Sequence, residues 1–248
     1  MNVLTKNASL AWSRSLRPKA DVSLIVGIDG CKSGWFAIWE GTDARLHSCV
    51  IPSLKKLHIA TNHSCLTIGV DMPVVLSDEM PREADQLARK HLGKKSSTIF
   101  SAPTPGMLKQ TSYEKACQFS KERFGKAISI QSWHLFPKIR DVQLILNQDQ
   151  TDIYEIHPEL SFRKLNGDNV ILESKKKQEG HKIRRQLLER TFSNFDFDSI
   201  RAQYLKKDVA DDDILDALIV LWSTKRIASG EAKFLPTHPR KPNMRIGY

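Results

Sequence analysis

The chain has 248 residues, 40% of them hydrophobic and 27% charged, with 38 lysines and arginines against 28 acids and a formal charge of +10. Those values belong to an ordinary globular protein and exclude a disordered or fibrous one. No apolar stretch approaches the roughly 20 residues that a bilayer-spanning helix needs, and the basic excess favours a polyanionic partner: nucleic acid, a phosphorylated ligand or an anionic membrane surface.

The first twenty residues carry Lys6, Arg14, Arg17 and Lys19 and no acid. Residues 1–21 read as a flexible basic arm in preference to an organellar transit peptide, and they lack the apolar segment of a secretory signal. One domain is expected over 22–235. Leu24–Asp29 is a buried strand, Gly30-Cys31-Lys32-Ser33-Gly34 a tight turn, and Trp35–Trp39 the second strand of a hairpin. A third strand over Leu46–Ile51 and a helix over Ser53–Asn62 precede another buried strand, Cys65–Asp71, which Met72-Pro73 stops.

A helical insertion is predicted near 80–150. Arg82–Leu92 forms a helix closed by Gly93, Ser96–Gly106 is a loop, and Tyr113–Phe124 and Ile130–Asn147 are helices, the second kinked or interrupted at Pro137. Thr151–His157 is the next strand, and Lys175–Phe192 is a basic helix-plus-loop region. Asp211–Ser229 is a long helix whose opening acids suit the positive end of its dipole. Residues 236–248, with Pro236, Pro239, Pro242, Arg240, Lys241 and Arg245, read as an irregular basic tail. The order predicts an α/β domain whose mixed sheet starts with a hairpin, continues with parallel strands and is flanked by helices. Cys31, Cys49, Cys65 and Cys117 contain no Cys-x-x-Cys pair, which fits reduced thiols in a cytoplasmic protein.

Twice an apolar run ends in Gly, one β-branched residue and an aspartate: Gly27-Ile28-Asp29 and Gly69-Val70-Asp71. A buried carboxylate is costly unless it is paired or holds a metal, so two such strand ends in one domain suggest a shared cation. Asp213 and Asp216 lie three apart on the last helix and share a face. An all-oxygen donor set points to Mg²⁺ or Mn²⁺ in preference to zinc. Asp211 and Asp212 read as helix-capping acids.

The ordered set resembles the DUF429 family of predicted ribonuclease H-like nucleases. It comprises Gly27-Ile28-Asp29-Gly30-Cys31-Lys32-Ser33-Gly34-Trp35, Asp71-Met72-Pro73, Arg82 with Asp85, Ala88-Arg89 and Ser97-Thr98-Ile99-Phe100. It continues with Pro137-Lys138-Ile139, His157-Pro158-Glu159, Ser174-Lys175-Lys176 with Gly180, and the Asp213/Asp216 pair. The last helix is similar to that of the Holliday-junction resolvases. The resemblance implies a ribonuclease H-like fold and a nuclease in which Asp29, Asp71, Asp213 and Asp216 hold two Mg²⁺ or Mn²⁺ ions beside a scissile phosphate. Glu159 would reach the edge of the cluster, and His157 would shuttle protons. With the basic runs, it also implies that Lys32, Arg82, Arg89, Lys138, Lys175, Lys176 and Arg184 face substrate phosphates.

Two other functions fit parts of the pattern. A non-enzymatic nucleic-acid binder with the same fold would keep the basic surface and bind in a salt-dependent way without turnover. Actin-like and sugar-kinase ATPases also open with Gly-x-Asp-x-Gly, but they need two copies of the fold, and this chain has room for about one.

Overall fold

Strand alternation decides which residues meet which layer, and in β1 (Leu24–Cys31) it sends Gly27 and Asp29 to one face and Val26 and Ile28 to the other. The computed structural model describes residues 23–63, 66–146 and 151–248; the arm assigned to 1–21 lies outside them. β1 runs antiparallel to β2 (Gly34–Glu40), which pairs with β3 (Leu46–Ile51), so the expected hairpin opens the sheet. After α1 (Leu57–Thr61), β4 (Leu66–Val70) lies parallel to β1 in the register Gly27↔Gly69.

Four helices fill the predicted insertion: α2 (Glu83–Leu92), α3 (Pro105–Leu108), α4 (Tyr113–Phe124) and α5 (Ile130–Gln143). β5 (Thr151–Ile156) then adds parallel to β4. α6 (Pro158–Leu165), α7 (Gln178–Thr191), α8 (Phe197–Arg201) and α9 (Asp211–Ala228) follow, and β6 (Phe234–Leu235) and β7 (Ile246–Gly247) complete a mixed sheet of order β3-β2-β1-β4-β5-β7-β6. The domain is therefore mixed α/β. One apolar layer joins the β1 and β2 side chains facing α9 to Phe162, Leu188, Phe192 and Phe197; the opposite layer packs Val26, Ile28, Ile68 and Val70 against Leu54, Leu57 and Val142. Among the described residues no helix is long and apolar enough to cross a membrane, and Cys31, Cys49 and Cys117 are free thiols.

Two expectations are corrected. α5 continues through Pro137, which sits on the exposed side of the helix, where water can serve the carbonyl that loses its partner. Residues 236–248 are not simply an irregular tail: Ile246–Gly247 inserts between β5 and β6, and Tyr248 is buried. Pro158 occupies the first turn of α6, where a missing N–H costs nothing.

Candidate metal centre

The two Gly-x-Asp strand ends work as a unit because glycine and aspartate, two residues apart, share a sheet face. A Cβ at Gly27 would run into the backbone of Ala217 and Leu221, and one at Gly69 into the side chains of Thr224 and Val220. The two glycines, paired across β1 and β4, thus let α9 settle directly onto the sheet. The aspartates one step further on emerge just where α9 begins, which carries Asp212, Asp213 and Asp216 to them. Asp71 continues the ladder beyond β4, its N–H donating to Ile28 O at 3.1 Å, which sets it beside Asp29.

Asp29 and Asp216 are buried, whereas Asp71, Asp212 and Asp213 are half-buried. Local bonds orient two of them: Asp29 Oδ1 accepts from Gly30 N at 2.7 Å, and Asp213 Oδ2 accepts from Ala210 N at 2.8 Å. The cation inside the group is Lys175, whose ammonium donates to Asp216 and lies 3.6 Å from Asp212. Burial opposes that ammonium, but Asp216, Asp29 and Asp212 outweigh it and hold Lys175 well above the usual lysine range. One lysine does not balance five acids. Burial and the charges of Asp216 and Asp71 raise the Asp29 carboxyl well above its ordinary value. Burial and Asp216 push Asp71 up to about 8, and burial takes Asp213 up to about 6. Asp216 is raised by burial too, even with Lys175 pulling it down.

These acids line one cavity of about 490 Å³ together with His157, Glu159, Lys175 and Lys176. The structure therefore brings Asp29, Asp71, Asp213 and Asp216 together as expected, with Asp212 as an addition. Glu159 also reaches the cavity, but both its oxygens are held at 2.8 Å by Arg184. Burial pushes the His157 imidazole down to about 4, so it is neutral at physiological pH and does not titrate near neutrality as a shuttle would.

The predicted phosphate-facing cations divide. Lys175 and Lys176 stand at the cavity, and Lys32 lies exposed on the β1–β2 turn. Arg82 and Arg184 are corrected: both are buried and already engaged. Arg82 donates to Glu155 and Asp85, each at 2.6 Å at the closest, and to Val75 O, whereas Arg184 holds Glu159, Glu173 O and Gly180 O. Arg89 donates to Ile99 O and Ser101 Oγ. Lys138 donates to Cys31 O and Gly34 O above the Trp35 ring, and burial lowers its pKa. Lys138 and Arg89 thus brace the strand end and the loop beside the cavity.

Sequence reading missed Glu155 as a site residue. It anchors the chain just past Asp71, accepting from Val74 N at 3.0 Å while Arg82 ties Val75 O to the same carboxylate. The signal was its place in Thr151–Ile156: Glu155 shares the inward face with Ile153, where a lone charge requires a buried partner.

The donor chemistry suits a hard divalent cation, since several buried or half-buried carboxylates with raised pKa values surround a single ammonium. Among the described residues, no three His, Cys, Asp or Glu side chains already converge as a closed metal-binding group; Lys175 shares the space between them. The model of a family described as "Protein of unknown function (DUF429)" matches residues 27–241 of the chain. No curated protein and no solved structure matches it significantly. By the extent of the family match, the chain belongs to the DUF429 family.

Proposed function

We propose that this DUF429 member has a ribonuclease H-like fold and is a Mg²⁺- or Mn²⁺-dependent nuclease that hydrolyses phosphodiester bonds of nucleic acid. The observation that carries the reading is the meeting of Asp29, Asp71, Asp213 and Asp216 in one cavity, with burial raising the pKa of each. The hairpin-first sheet continued by parallel strands supports the fold assignment.

Asp29, Asp71 and the Asp213/Asp216 face would hold the ions, which supply a water of lowered pKa and charge stabilisation at the leaving oxygen. The other roles belong to the chain itself. Lys175 and Lys176 neutralise and position a phosphate entering the cavity. Arg184 holds both oxygens of Glu159 at the cavity wall, and neutral His157 lines that wall without carrying charge. The Arg82–Glu155 pair fixes the segment after Asp71, so that its carboxylate is presented on rigid backbone.

The test is a panel of single-stranded, duplex, hybrid and branched DNA and RNA incubated with Mg²⁺ or Mn²⁺. Cleavage of at least one substrate is expected, and Asp29→Asn is expected to reduce it by about a thousandfold or more, on the scale of losing a principal electrostatic element of an active site. A panel without Asp29-dependent cleavage sinks the reading.

The pairing of Lys175 with Asp216 favours a second reading, in which the lysine replaces metal and the protein only binds nucleic acid. Binding then falls steeply with salt, and neither divalent ions nor Asp71→Asn alters it.

A further inference from the structure

Phe100 is 48% exposed, although the backbone on either side of it is fastened. Ile99 and Ala102 are buried; Arg89 donates to Ile99 O at 2.7 Å and to Ser101 Oγ at 3.1 Å; Asp85 accepts from Ala102 N at 3.0 Å. The ring is therefore held outward by a fixed loop. Leaving about half of it in water forgoes part of the stabilisation that full burial of a phenylalanine provides. Among the described residues, it is the one aromatic side chain in the set of exposed large hydrophobics.

Its position gives the exposure a use. Phe100 lines both the acid-bearing cavity and a second cavity of about 440 Å³, and Ile99, Ser101 and Ser132 are likewise common to both. The two spaces adjoin at the ring. Arg89, Lys126 and the hydroxyls of Ser96, Ser97 and Ser129 line the second cavity, which has no carboxylate in its wall. Along the surface the order is thus acids with Lys175 and Lys176, then an aromatic face, then cations with hydroxyls. Alternating cationic and aromatic contacts are what an unpaired strand requires: phosphates meet the cations, and a base stacks on the ring between them. Bases inside a duplex have no free face to offer unless they are flipped out.

We propose that Phe100 is a base-stacking platform and that the substrate is an unpaired stretch of nucleic acid. One phosphate of the strand enters the acid-bearing cavity, the neighbouring base lies on Phe100, and the next phosphate meets Arg89 and Lys126. This deepens the nuclease reading and rests on it for the role of the acids, but the stacking contact is measured without turnover.

The experiment is fluorescence anisotropy with labelled oligonucleotides of DNA and RNA, with Ca²⁺ in place of Mg²⁺. Three forms are compared: a single strand, its blunt duplex, and the single strand with abasic sites. The single strand is expected to bind about tenfold tighter than the duplex. Phe100→Ala should lose about tenfold on the single strand alone, Phe100→Trp should keep the affinity, and the abasic strand should bind wild type no better than the intact strand binds Phe100→Ala. Equal binding of duplex and single strand, or indifference to Phe100→Ala, overturns the proposal. If metal-dependent cleavage is nevertheless seen, the nuclease reading survives that loss. Phe100-dependent single-strand binding without Asp29-dependent cleavage leaves the platform standing and removes the nuclease.

Discussion

Asp85 and Glu155 are as buried as Asp29 and Asp216, yet their surroundings differ. Asp85 and Glu155 share the Arg82 guanidinium, and their remaining bonds go to the Ala102 and Val74 N–H groups. Asp29 and Asp216 sit with Asp71, Asp212 and Asp213 around one ammonium. Both groups place acids beside the same strand ends and line the same cavity. The first is fully paired and joins β5 to the segment after Asp71 and to α2. The second remains short of positive charge: burial raises Asp29, Asp71, Asp213 and Asp216, as it does Glu155 in the first group, but only Glu155 has a guanidinium bound to both its oxygens. Burial alone does not separate structural from functional carboxylates here; the local charge balance does.

The largest expected contrast comes from removing one member of each group. Asp29→Asn should leave thermal stability unchanged or raised, because it relieves repulsion, while cleavage disappears. Arg82→Met leaves two carboxylates buried without their cation, and should destabilise the fold by about 3–5 kcal/mol, read as a fall in Tm of roughly 6–20 °C. A stable Arg82→Met variant, or an Asp29→Asn variant that unfolds, would erase the distinction between the groups.

A smaller effect follows from pH. The ordinary aspartate value is 3.8, and in the folded chain Asp71 stands near 8. Between those values the folded state keeps a proton that the unfolded chain has released. Its stabilising contribution is complete below the ordinary value and is lost as pH rises through about 8. Metal-free protein should therefore lose stability progressively between about pH 4 and about pH 8, by on the order of 1 kcal/mol per pH unit at most. Asp71→Asn should flatten that slope, as denaturant titrations at each pH would show. An unchanged slope in Asp71→Asn would place the proton elsewhere.

Much of the architecture was legible because the chain states it locally. The hairpin, β4 and the α2 stop at Gly93 lie within a residue or two of their predicted bounds, each marked by β-branched runs or turn glycines. α9 was equally plain from its acids and continuous apolar body. The site acids were readable because a carboxylate closing a buried strand conflicts with burial, and that conflict is visible in one dimension. What hid was long-range. Arg82 and Arg184 look like phosphate ligands until their partners 73 and 25 residues away are known. The service of Gly27 and Gly69 as the floor for α9 depends on a helix some 150 to 190 residues further along. Phe100 sits in a Ser/Thr/Pro-rich loop, and nothing in that composition says that its ring stays in water.

Uptake of a divalent cation by the Asp29 cluster is read by Mn²⁺ titration calorimetry near pH 7, in two buffers of different ionisation enthalpy. The prediction is saturable binding accompanied by proton release, since carboxyls held protonated by burial must ionise to become ligands, with both signals lost in Asp29→Asn. Absence of saturable binding by wild type, or binding that Asp29→Asn leaves intact, would contradict it.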